Sequence, residues 1–320
     1  MHRALQTDAD LFPFDDAAVS MLEEAHIELV PISGHDPGEI VAASSGAEIV
    51  FHYLGALPRP VIDRLDQCRV IARMGMGFDT IDVHAARERG IEVVYVPDFG
   101  SDDVADHALA LLLACARRLV PGEQALRSGT WPNYRDLGPM RRLKGQVLGL
   151  VGFGRIARSL ATRAHAFGLL VIAYDPAVSA KTMRSHGVEA VVAEDVYSLS
   201  DFVSIHVPLS PATHHLVDLP QLRLMKPTAQ LINTSRGAVV NQHALVDALS
   251  RGSIAGAGLD VFELEPLPAD DPLRGFENVV LSPHSASFAV EALAEVRRKA
   301  IEDVMRVLDG QQPKAPVPGP

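Results

Sequence analysis

The sequence predicts an α/β protein with two parallel-sheet domains and an interdomain cleft. Short apolar segments with strand character alternate with amphipathic helical segments along most of the chain, which is the order that parallel sheets require. A glycine-rich strand-to-helix turn begins only after Val147, so a separate folded unit must precede it. The 320 residues are enough for about two domains. Together these features are typical of Rossmann-like and flavodoxin-like sheets.

The first part of the chain predicts a small α/β unit of its own. Its β-rich segments are Arg3–Thr7, Ile27–Ile32, Glu48–Tyr53, Arg69–Arg73 and Ile91–Val96. Helical patterns separate them near Ala17–Ala25, Val61–Asp66 and Asp82–Arg89. This alternation predicts parallel strands with crossover helices.

A long helix opens the second domain, since Ser101–Asp103 supplies capping residues for a helical pattern that runs to about Leu119. Further strands are predicted at Phe202–Val207, Gln230–Asn233, Gly256–Val261 and Val279–Ser282, with a helix at Asn241–Leu249. A last amphipathic helix, Phe288–Leu308, follows the final strand, and we expect it to return to the first unit. The predicted domains are therefore 1–101 plus 285–320, and 102–284, with a hinge where the chain crosses. The Pro-rich tail, Gln311–Pro320, is expected to be mobile.

The most informative segment lies at the start of the second domain. Val147–Val151 reads as a buried strand, and Gly152–Ala157 follows at once with the letters Gly-Phe-Gly-Arg-Ile-Ala. A helical pattern runs from there to Phe167, Leu169–Tyr174 forms a second strand, and Asp175 stands at its end. The order strand, glycine turn, helix, strand and acid is that of a dinucleotide-binding site.

Each part of this segment has a chemical reason. Gly152 permits the tight turn, Gly154 lets the backbone approach a pyrophosphate, and the small Ala157 lets the helix pack closely on the strand. The helix N terminus offers N–H groups and a positive dipole end to phosphate oxygens. Asp175 can accept hydrogen bonds from a ribose diol and would repel a 2′-phosphate, and no Arg follows in Pro176–Val178. The predicted cofactor is therefore NAD rather than NADP.

Composition excludes several other classes of protein. The net charge of −11, with no basic stripe, argues against nucleic acid as a partner. The longest apolar run, Ala108–Ala116, is too short to span a bilayer, and residues 1–6 lack the apolar core of a signal peptide. Cys68 and Cys115 are too few for a disulfide framework and predict buried thiols. We expect a cytoplasmic protein with no membrane association.

Three later segments place reactive side chains at strand ends, where parallel sheets bind ligands: 231–237, 259–266 and 281–286. Arg236 presents a fork that can hold a carboxylate or polarise a carbonyl. His284 can exchange a proton with a substrate oxygen, and Glu265 would orient its imidazole and favour the protonated form. With NAD nearby, this set can move a hydride while a proton moves to or from oxygen.

Alternatives remain at this point. Each of these three residues taken singly could be a surface charge or a structural hydrogen-bonding group. Glu263 competes with Glu265 for the pairing role. His214 and His215 are adjacent but lack further ligands, so no metal site is predicted. Trp131 is expected to be a packing residue in a loop.

The whole arrangement resembles the D-isomer-specific 2-hydroxyacid dehydrogenase family over nearly the full chain. The matching motifs are 152–157 with Asp175, Thr234-Ser235-Arg236-Gly237, Asp260-Val261 with Glu265-Pro266, and Pro283-His284. The resemblance implies an NAD-dependent enzyme that interconverts a 2-oxo acid and a D-2-hydroxy acid, with His284 as acid/base, Glu265 tuning it and Arg236 binding the substrate. It selects Glu265 over Glu263 and implies a homodimer formed mainly through the cofactor domains.

The resemblance also assigns binding residues. The substrate side comprises Arg236 with a loop whose amides would hold the substrate carboxylate: Arg73, Met74, Gly75, Met76 and Gly77. The positions implied for the cofactor are Met76, Gly152, Phe153, Gly154, Arg155, Ile156, Asp175, His206, Val207, Pro208, Thr213, Thr234, Ser235, Arg236, Asp260, His284 and Ala286.

Within the family, residues 73–118 look closest to the C-terminal binding protein branch, which includes NAD(H)-sensing corepressors. Those proteins carry a Trp three residues after the histidine, where this chain has Ser287. Formate dehydrogenases of the superfamily pair the histidine with Gln, and Glu265 argues against them. An NAD(H)-responsive binding protein thus stays as the alternative function. The identity of the 2-oxo acid and the physiological direction are left open by the sequence.

Overall fold

The computed structural model describes residues 1–318, which form two compact units. The first unit comprises residues 1–100 and 289–318, and the second comprises residues 101–288. Each unit is built on a parallel sheet with helices on both faces, so the predicted pair of parallel-sheet α/β domains is confirmed. The chain leaves the second unit after residue 288, four positions later than the boundary expected from the sequence.

The first unit has a five-stranded parallel sheet in the order β2-β1-β3-β4-β5. Its strands are β1 (His2–Gln6), β2 (Ile27–Pro31), β3 (Ile49–His52), β4 (Val70–Arg73) and β5 (Glu92–Tyr95). Its helices are α1 (Asp16–Glu24), α2 (Pro37–Ala43), α3 (Arg59–Ile62), α4 (Val83–Glu88) and α12 (Val290–Leu308). Successive strand residues face opposite layers: Ile49 and Phe51 pack towards α1 and α12, whereas Val50 packs towards α2, α3 and α4.

The C-terminal tail pairs with the edge of this sheet, so the expectation of a mobile tail is wrong as far as Pro318. Val317 is buried, and its amide donates to the carbonyl of Val93 over 2.9 Å. The amide of Tyr95 donates to the carbonyl of Ala315 over 3.2 Å. β5 is an edge strand with backbone groups to satisfy, and the tail residues between prolines supply partners. Gly319 and Pro320 lie outside the described residues.

The second unit has a seven-stranded parallel sheet in the order β12-β11-β10-β9-β6-β7-β8. Its strands are β6 (Val147–Val151), β7 (Leu170–Tyr174), β8 (Glu189–Ala190), β9 (Phe202–Ile205), β10 (Gln230–Asn233), β11 (Gly256–Leu259) and β12 (Val279–Leu281). Its helices are α5 (Ser101–Ala116), α6 (Leu119–Arg127), α7 (Arg155–Ala166), α8 (Ala180–Ser185), α9 (Ala193–Ser198), α10 (Leu219–Leu224) and α11 (Gln242–Ser250), with short 3₁₀ turns at Gly237–Val239 and Pro272–Gly275. The strand order reverses between β6 and β9, and ligands of open α/β sheets bind at such a point.

The segment after α5 is exposed. No residue of α6 is buried, and the side chain of Trp131 is 88% exposed. The expectation that Trp131 is a packing residue is therefore wrong, because residues 1–318 leave its side chain uncovered. None of the helices within residues 1–318 is long and apolar enough to cross a membrane.

Candidate active site

The glycine turn follows β6 at the point where the strand order reverses. Gly152 has φ +92°, and a Cβ there would lie 2.7 Å from the carbonyl oxygen of His206, so only glycine fits. Gly154 precedes α7, whose N terminus has no side-chain cap, and a Cβ on Gly154 would meet nothing within 4 Å. Arg155 and Ile156 form the first helical turn. The open space and the uncapped helix end suit a phosphate group of a dinucleotide.

Asp175 connects the end of β7 to this turn. Its Oδ2 accepts a hydrogen bond from the Phe153 amide over 2.8 Å, and its Oδ1 accepts one from the Ala177 amide over 2.8 Å. Each oxygen of an ionised carboxylate can accept a second hydrogen bond. Asp175 can therefore hold the turn and still accept from ribose hydroxyls, which fits the predicted use of NAD.

The loop after β9, which contains His206–Pro208, lies beside the glycine turn at Gly152. The ring Nε2 of His206 lies 2.8 Å from Ser204 Oγ, and burial lowers the pKa of His206 to about 4, so the ring is neutral at pH 7. Thr213 Oγ1 donates to the carbonyl of Pro208 over 2.6 Å. His206 and Val207 thus lie beside the glycine turn, and Thr213 is tied to Pro208 of the same loop.

Asn233, which sequence reasoning missed, shapes the turn after β10. Its side chain is buried, and its Oδ1 accepts from the amide of Ser235 over 3.0 Å and from the hydroxyl over 2.9 Å. Its Nδ2 donates to the carbonyl of Arg236 over 3.0 Å. An amide at the end of a strand, next to the Thr-Ser-Arg motif, was the only available signal. Asn233 therefore fixes the backbone from which the Arg236 side chain extends.

Thr234 has a buried hydroxyl oxygen that a bound ligand could satisfy. Its Oγ1 is buried, and no residue in 1–318 makes a hydrogen bond with it. A buried hydroxyl without a partner is unfavourable, so a bound polar group would satisfy it. Together with the open glycine turn, this atom indicates that the residues present fit a dinucleotide cofactor.

Gly237 brings the Arg236 turn against the loop that carries Glu265. A Cβ on Gly237 would overlap the carbonyl carbon of Phe262, so the two backbones touch where only glycine fits. The amide of Phe262 donates to Oε1 of Glu265 over 2.9 Å, which fixes the glutamate side chain on the same loop. The sequence segments of Arg236 and Glu265 are therefore adjacent in the second unit.

His284 pairs with Glu265 as predicted from the family motif. Its Nδ1 lies 2.6 Å from Glu265 Oε2, and the two side chains are 36% and 32% exposed. Because a carboxylate only accepts, Nδ1 carries the hydrogen and Nε2 is left for a substrate. This pair is equipped to donate or remove a proton at a substrate oxygen.

Glu263 points to a different partner. Its Oε1 accepts from His215 Nε2 over 2.8 Å and from the amide of Gln242 over 2.9 Å. The ring of His214 lies against that of His215, tilted by 31° with centroids 4.0 Å apart. The structure thus separates the two candidate acids and gives the His284 pairing to Glu265.

Asp260 holds the backbone around His284. The amide of His284 donates to the Asp260 carbonyl over 2.8 Å, and the next two amides, of Ser285 and Ala286, donate to Asp260 Oδ1 and Oδ2 over 3.0 Å each. His284 itself adopts a left-handed conformation with φ +52°, which turns the successive amides towards one carboxylate. The loop with the candidate acid/base is therefore anchored on one buried residue.

The Asp260 carboxylate is stabilised in its charged form. Burial by itself would raise the pKa of Asp260, but the nearby His107 ring and the hydrogen bonds from Ser282 and the two loop amides outweigh it and lower that pKa to about 2. Asp260 Oδ2 has one protein donor and can accept another. The predicted cofactor role of Asp260 is thus compatible with its place in the loop.

The predicted substrate loop, Arg73–Gly77, follows β4 of the first unit. Arg73 is buried, and its Nη1 donates to the carbonyl of Met74, whose own side chain is fully buried. A Cβ on Gly75 would overlap this guanidinium, so a larger residue there would force the Arg73 side chain to move. The amides of Met76 and Gly77 have no acceptor within the described chain. The loop thus presents N–H groups, and the buried side chains of Arg73 and Met74 support its backbone.

A family model matches the second unit. It is that of the D-isomer specific 2-hydroxyacid dehydrogenase, NAD binding domain, and it covers residues 109–286. This match includes the glycine turn, Asp175, Arg236, Glu265 and His284.

Named proteins also resemble the chain. A glyoxylate reductase of Korarchaeum cryptofilum is 44% identical over 257 residues, which is 79% of this chain and 77% of the relative. A D-3-phosphoglycerate dehydrogenase of Methanocaldococcus jannaschii is 37% identical over 97% of this chain, and the chain spans 58% of that relative. The crystal structure of the TT0316 protein from Thermus thermophilus has a TM-score of 0.90 at 36% identity, covering 99% of this chain and 100% of that one.

Proposed function

Since this chain belongs to the D-isomer-specific 2-hydroxyacid dehydrogenase family and is an NAD-dependent enzyme of 2-oxo and 2-hydroxy acids, we propose that it reduces a small 2-oxo acid to its D-2-hydroxy acid. Glyoxylate is the first candidate, because the relative with 44% identity is named a glyoxylate reductase. The observation that carries the proposal is the 2.6 Å pair between Glu265 and His284 in an NAD-binding domain.

The proton step follows from this pair. NADH, when bound, supplies the hydride that adds to the carbonyl carbon. Protonated His284 donates its Nε2 proton to the carbonyl oxygen, and the neutral imidazole then takes a proton from solvent. The Glu265 carboxylate stabilises the imidazolium through Nδ1. Reversing these steps gives oxidation of the hydroxy acid.

Substrate binding is assigned to Arg236 and to the loop of the first unit. The Arg236 guanidinium can hold a carboxylate through two parallel hydrogen bonds. In the first unit, the amides of Met76 and Gly77 are donors that suit an anionic group as well. A neutral analogue of the substrate should therefore bind poorly, whereas the acid itself should bind well.

The relatives do not favour the binding-protein alternative, although residues 73–118 resemble the corepressor branch. The relatives reported above are named as enzymes, and Ser287 stands where the corepressor branch has a Trp. The paired His284 and Glu265 have a chemical use in hydride transfer that peptide binding does not require. The enzyme is therefore the function proposed.

We also propose a homodimer. Large apolar side chains are exposed together on α6 and after it: Leu119 at 64%, Leu126 at 54% and Trp131 at 88%. Such a run of exposed apolar groups is typical of a protein interface. Light scattering on the purified protein should give the mass of two chains, and a monomer at micromolar concentration would contradict this part. A cytoplasmic location is proposed as well, because Cys68 and Cys115 are free buried thiols.

A substrate panel tests the main proposal. Purified protein is mixed with NADH and, separately, with glyoxylate, hydroxypyruvate, pyruvate and phosphohydroxypyruvate, and the loss of NADH absorbance is followed. We expect turnover of at least one acid, with a D-configured product where the product is chiral. Absence of turnover with every acid would overturn the proposal.

A further inference from the structure

His107 is not one of the assigned site residues, but it contacts Ser282 and Asp260, and Asp260 anchors the loop of His284. It occupies the second turn of α5, which begins where the chain leaves the first unit. Its Nε2 lies 2.8 Å from Ser282 Oγ and 3.4 Å from Asp260 Oδ1. Neither the family motifs nor the comparisons assign a role to this residue.

The direction of these hydrogen bonds is fixed by counting hydrogens. The hydroxyl of Ser282 donates its single hydrogen to Asp260 Oδ1 over 2.6 Å. It must therefore accept from His107, so Nε2 of His107 carries a hydrogen. The result is a directed chain from His107 through Ser282 to the charged Asp260, and hydrogen bonds that end on a charged group are the stronger ones.

This series of hydrogen bonds ends on Asp260, the residue that sets the backbone conformation of the proposed acid/base, His284. Asp260 receives the amides of His284, Ser285 and Ala286, and His284 adopts a left-handed conformation that residues other than glycine rarely take. Rotation of the Asp260 carboxylate would release the amides of Ser285 and Ala286. His107 and Ser282 oppose that rotation, because the Ser282 hydroxyl donates to Oδ1 and His107 holds that hydroxyl in place.

We propose that His107 is a positioning residue for the reaction: through Ser282 and Asp260 it holds the backbone of His284 in the conformation that directs the imidazole to the substrate. The inference deepens the proposed function and rests on it. It concerns the second unit alone, since all four residues belong to that unit.

Steady-state kinetics on matched variants test the inference. His107→Phe keeps the ring but removes the donor, and we expect kcat to fall about tenfold or more while KM for NADH stays within about twofold. His107→Gln retains an N–H near the position of Nε2 and should keep kcat within about threefold of wild type. The control is His243→Phe, the same exchange at an exposed position of α11, which should leave kcat unchanged.

A double variant shows whether His107 acts through Ser282 or independently of it. Ser282→Ala breaks the same series of hydrogen bonds. The double variant, His107→Phe with Ser282→Ala, should therefore lose no more activity than Ser282→Ala alone. Multiplied losses in the double variant would overturn the inference, and so would wild-type kcat in His107→Phe. If His107→Phe does not fold, kcat is measured for the other two variants. Ser282→Ala should lose activity, and His107→Gln should keep it.

The two proposals fail in different ways. A wild-type protein that turns over none of the four acids rejects the proposed function. A wild-type protein that turns over glyoxylate together with a fully active His107→Phe variant rejects only the role of His107. A general loss of stability would lower the unfolding temperature and leave kcat unchanged at temperatures where the variant is folded.

Discussion

Oε2 of Glu265 lies 2.6 Å from Nδ1 of His284, so a carboxylate holds the imidazole through the nitrogen that does not face a substrate. Two residues away, Glu263 makes the same kind of bond to His215 over 2.8 Å. The loop after β11 thus carries two Glu–His pairs of similar geometry. Only the first consists of residues that belong to the family motifs.

These two pairs form a matched experiment. Glu265→Gln keeps the size of the side chain but removes the charge that stabilises the imidazolium, so kcat for reduction should fall about tenfold to a hundredfold. Glu263→Gln should leave kcat unchanged. Equal losses in both variants would contradict the assignment.

His284 itself should be needed for turnover and not for cofactor binding. His284→Ala removes the proton donor, and kcat should fall about a hundredfold to ten-thousandfold. The Kd for NADH, measured by fluorescence titration, should change little. Retention of wild-type turnover would remove His284 from its role.

Asp175 should set the preference between the two dinucleotides. Asp175→Ala removes the charge that repels a 2′-phosphate, so the ratio of kcat/KM for NADH to kcat/KM for NADPH should fall by about tenfold or more. Asp175→Asn keeps the size of the side chain and serves as the matched control for loosening of the glycine turn. It should shift the same ratio with a smaller loss of NADH affinity. An unchanged ratio in both variants would argue against this role.

The contact between Gly237 and Phe262 should tolerate no side chain. Gly237→Ala would push the Arg236 turn away from the Glu265 loop, and we expect a loss of about 1–3 kcal/mol in the free energy of unfolding with a fall in kcat. Gly275→Ala is the control, because a Cβ there meets nothing within 4 Å. Urea denaturation and kinetics on both variants check this. A fully stable and active Gly237→Ala enzyme would show that the two loops do not depend on their contact.

Stability should fall between neutral and mildly acidic pH because of His52. Burial, and then the nearby Arg73 charge, lower the pKa of His52 from 6.5 to about 4. The unfolded chain therefore binds a proton first, so the contribution of His52 is complete above pH 6.5 and is lost as the pH falls towards 4. Between pH 6.5 and about pH 5 the loss is about 2 kcal/mol in the free energy of unfolding.

The control for this effect is a change of the histidine itself. His52→Gln can still donate to the carbonyl of Gly55, as Nε2 of His52 does over 2.7 Å, but it cannot be protonated. Its unfolding free energy, measured by urea denaturation, should depend less on pH in this range than that of the wild type. The exposed His84→Gln should keep the wild-type slope. A wild-type slope in His52→Gln would contradict the prediction.

The errors made from the sequence have a common physical origin. The tail was expected to be mobile because of its prolines, yet Ala315 and Val317 pair with the edge strand β5. Trp131 was expected to be packed, yet it is 88% exposed. In both cases local composition describes the segment, whereas the neighbouring surface decides whether it is covered.

The sequence by itself determined six of the seven strands and the glycine turn of the second unit, the acid Asp175, and the strand-end positions of Arg236 and His284. These features follow from local rules, because strand periodicity, a turn with φ near +92° at Gly152 and a helix N terminus are set by residues close in the chain. The match to the family motif already selected Glu265 over Glu263, and only the tertiary structure showed that Asn233, His107 and Ser282 support the site. These three residues stand outside any local pattern that marks a site, and the hydrogen bond between α5 and the loop after β12 joins residues 175 positions apart. The direction of each side chain then depends on how the strand-end loops pack against one another.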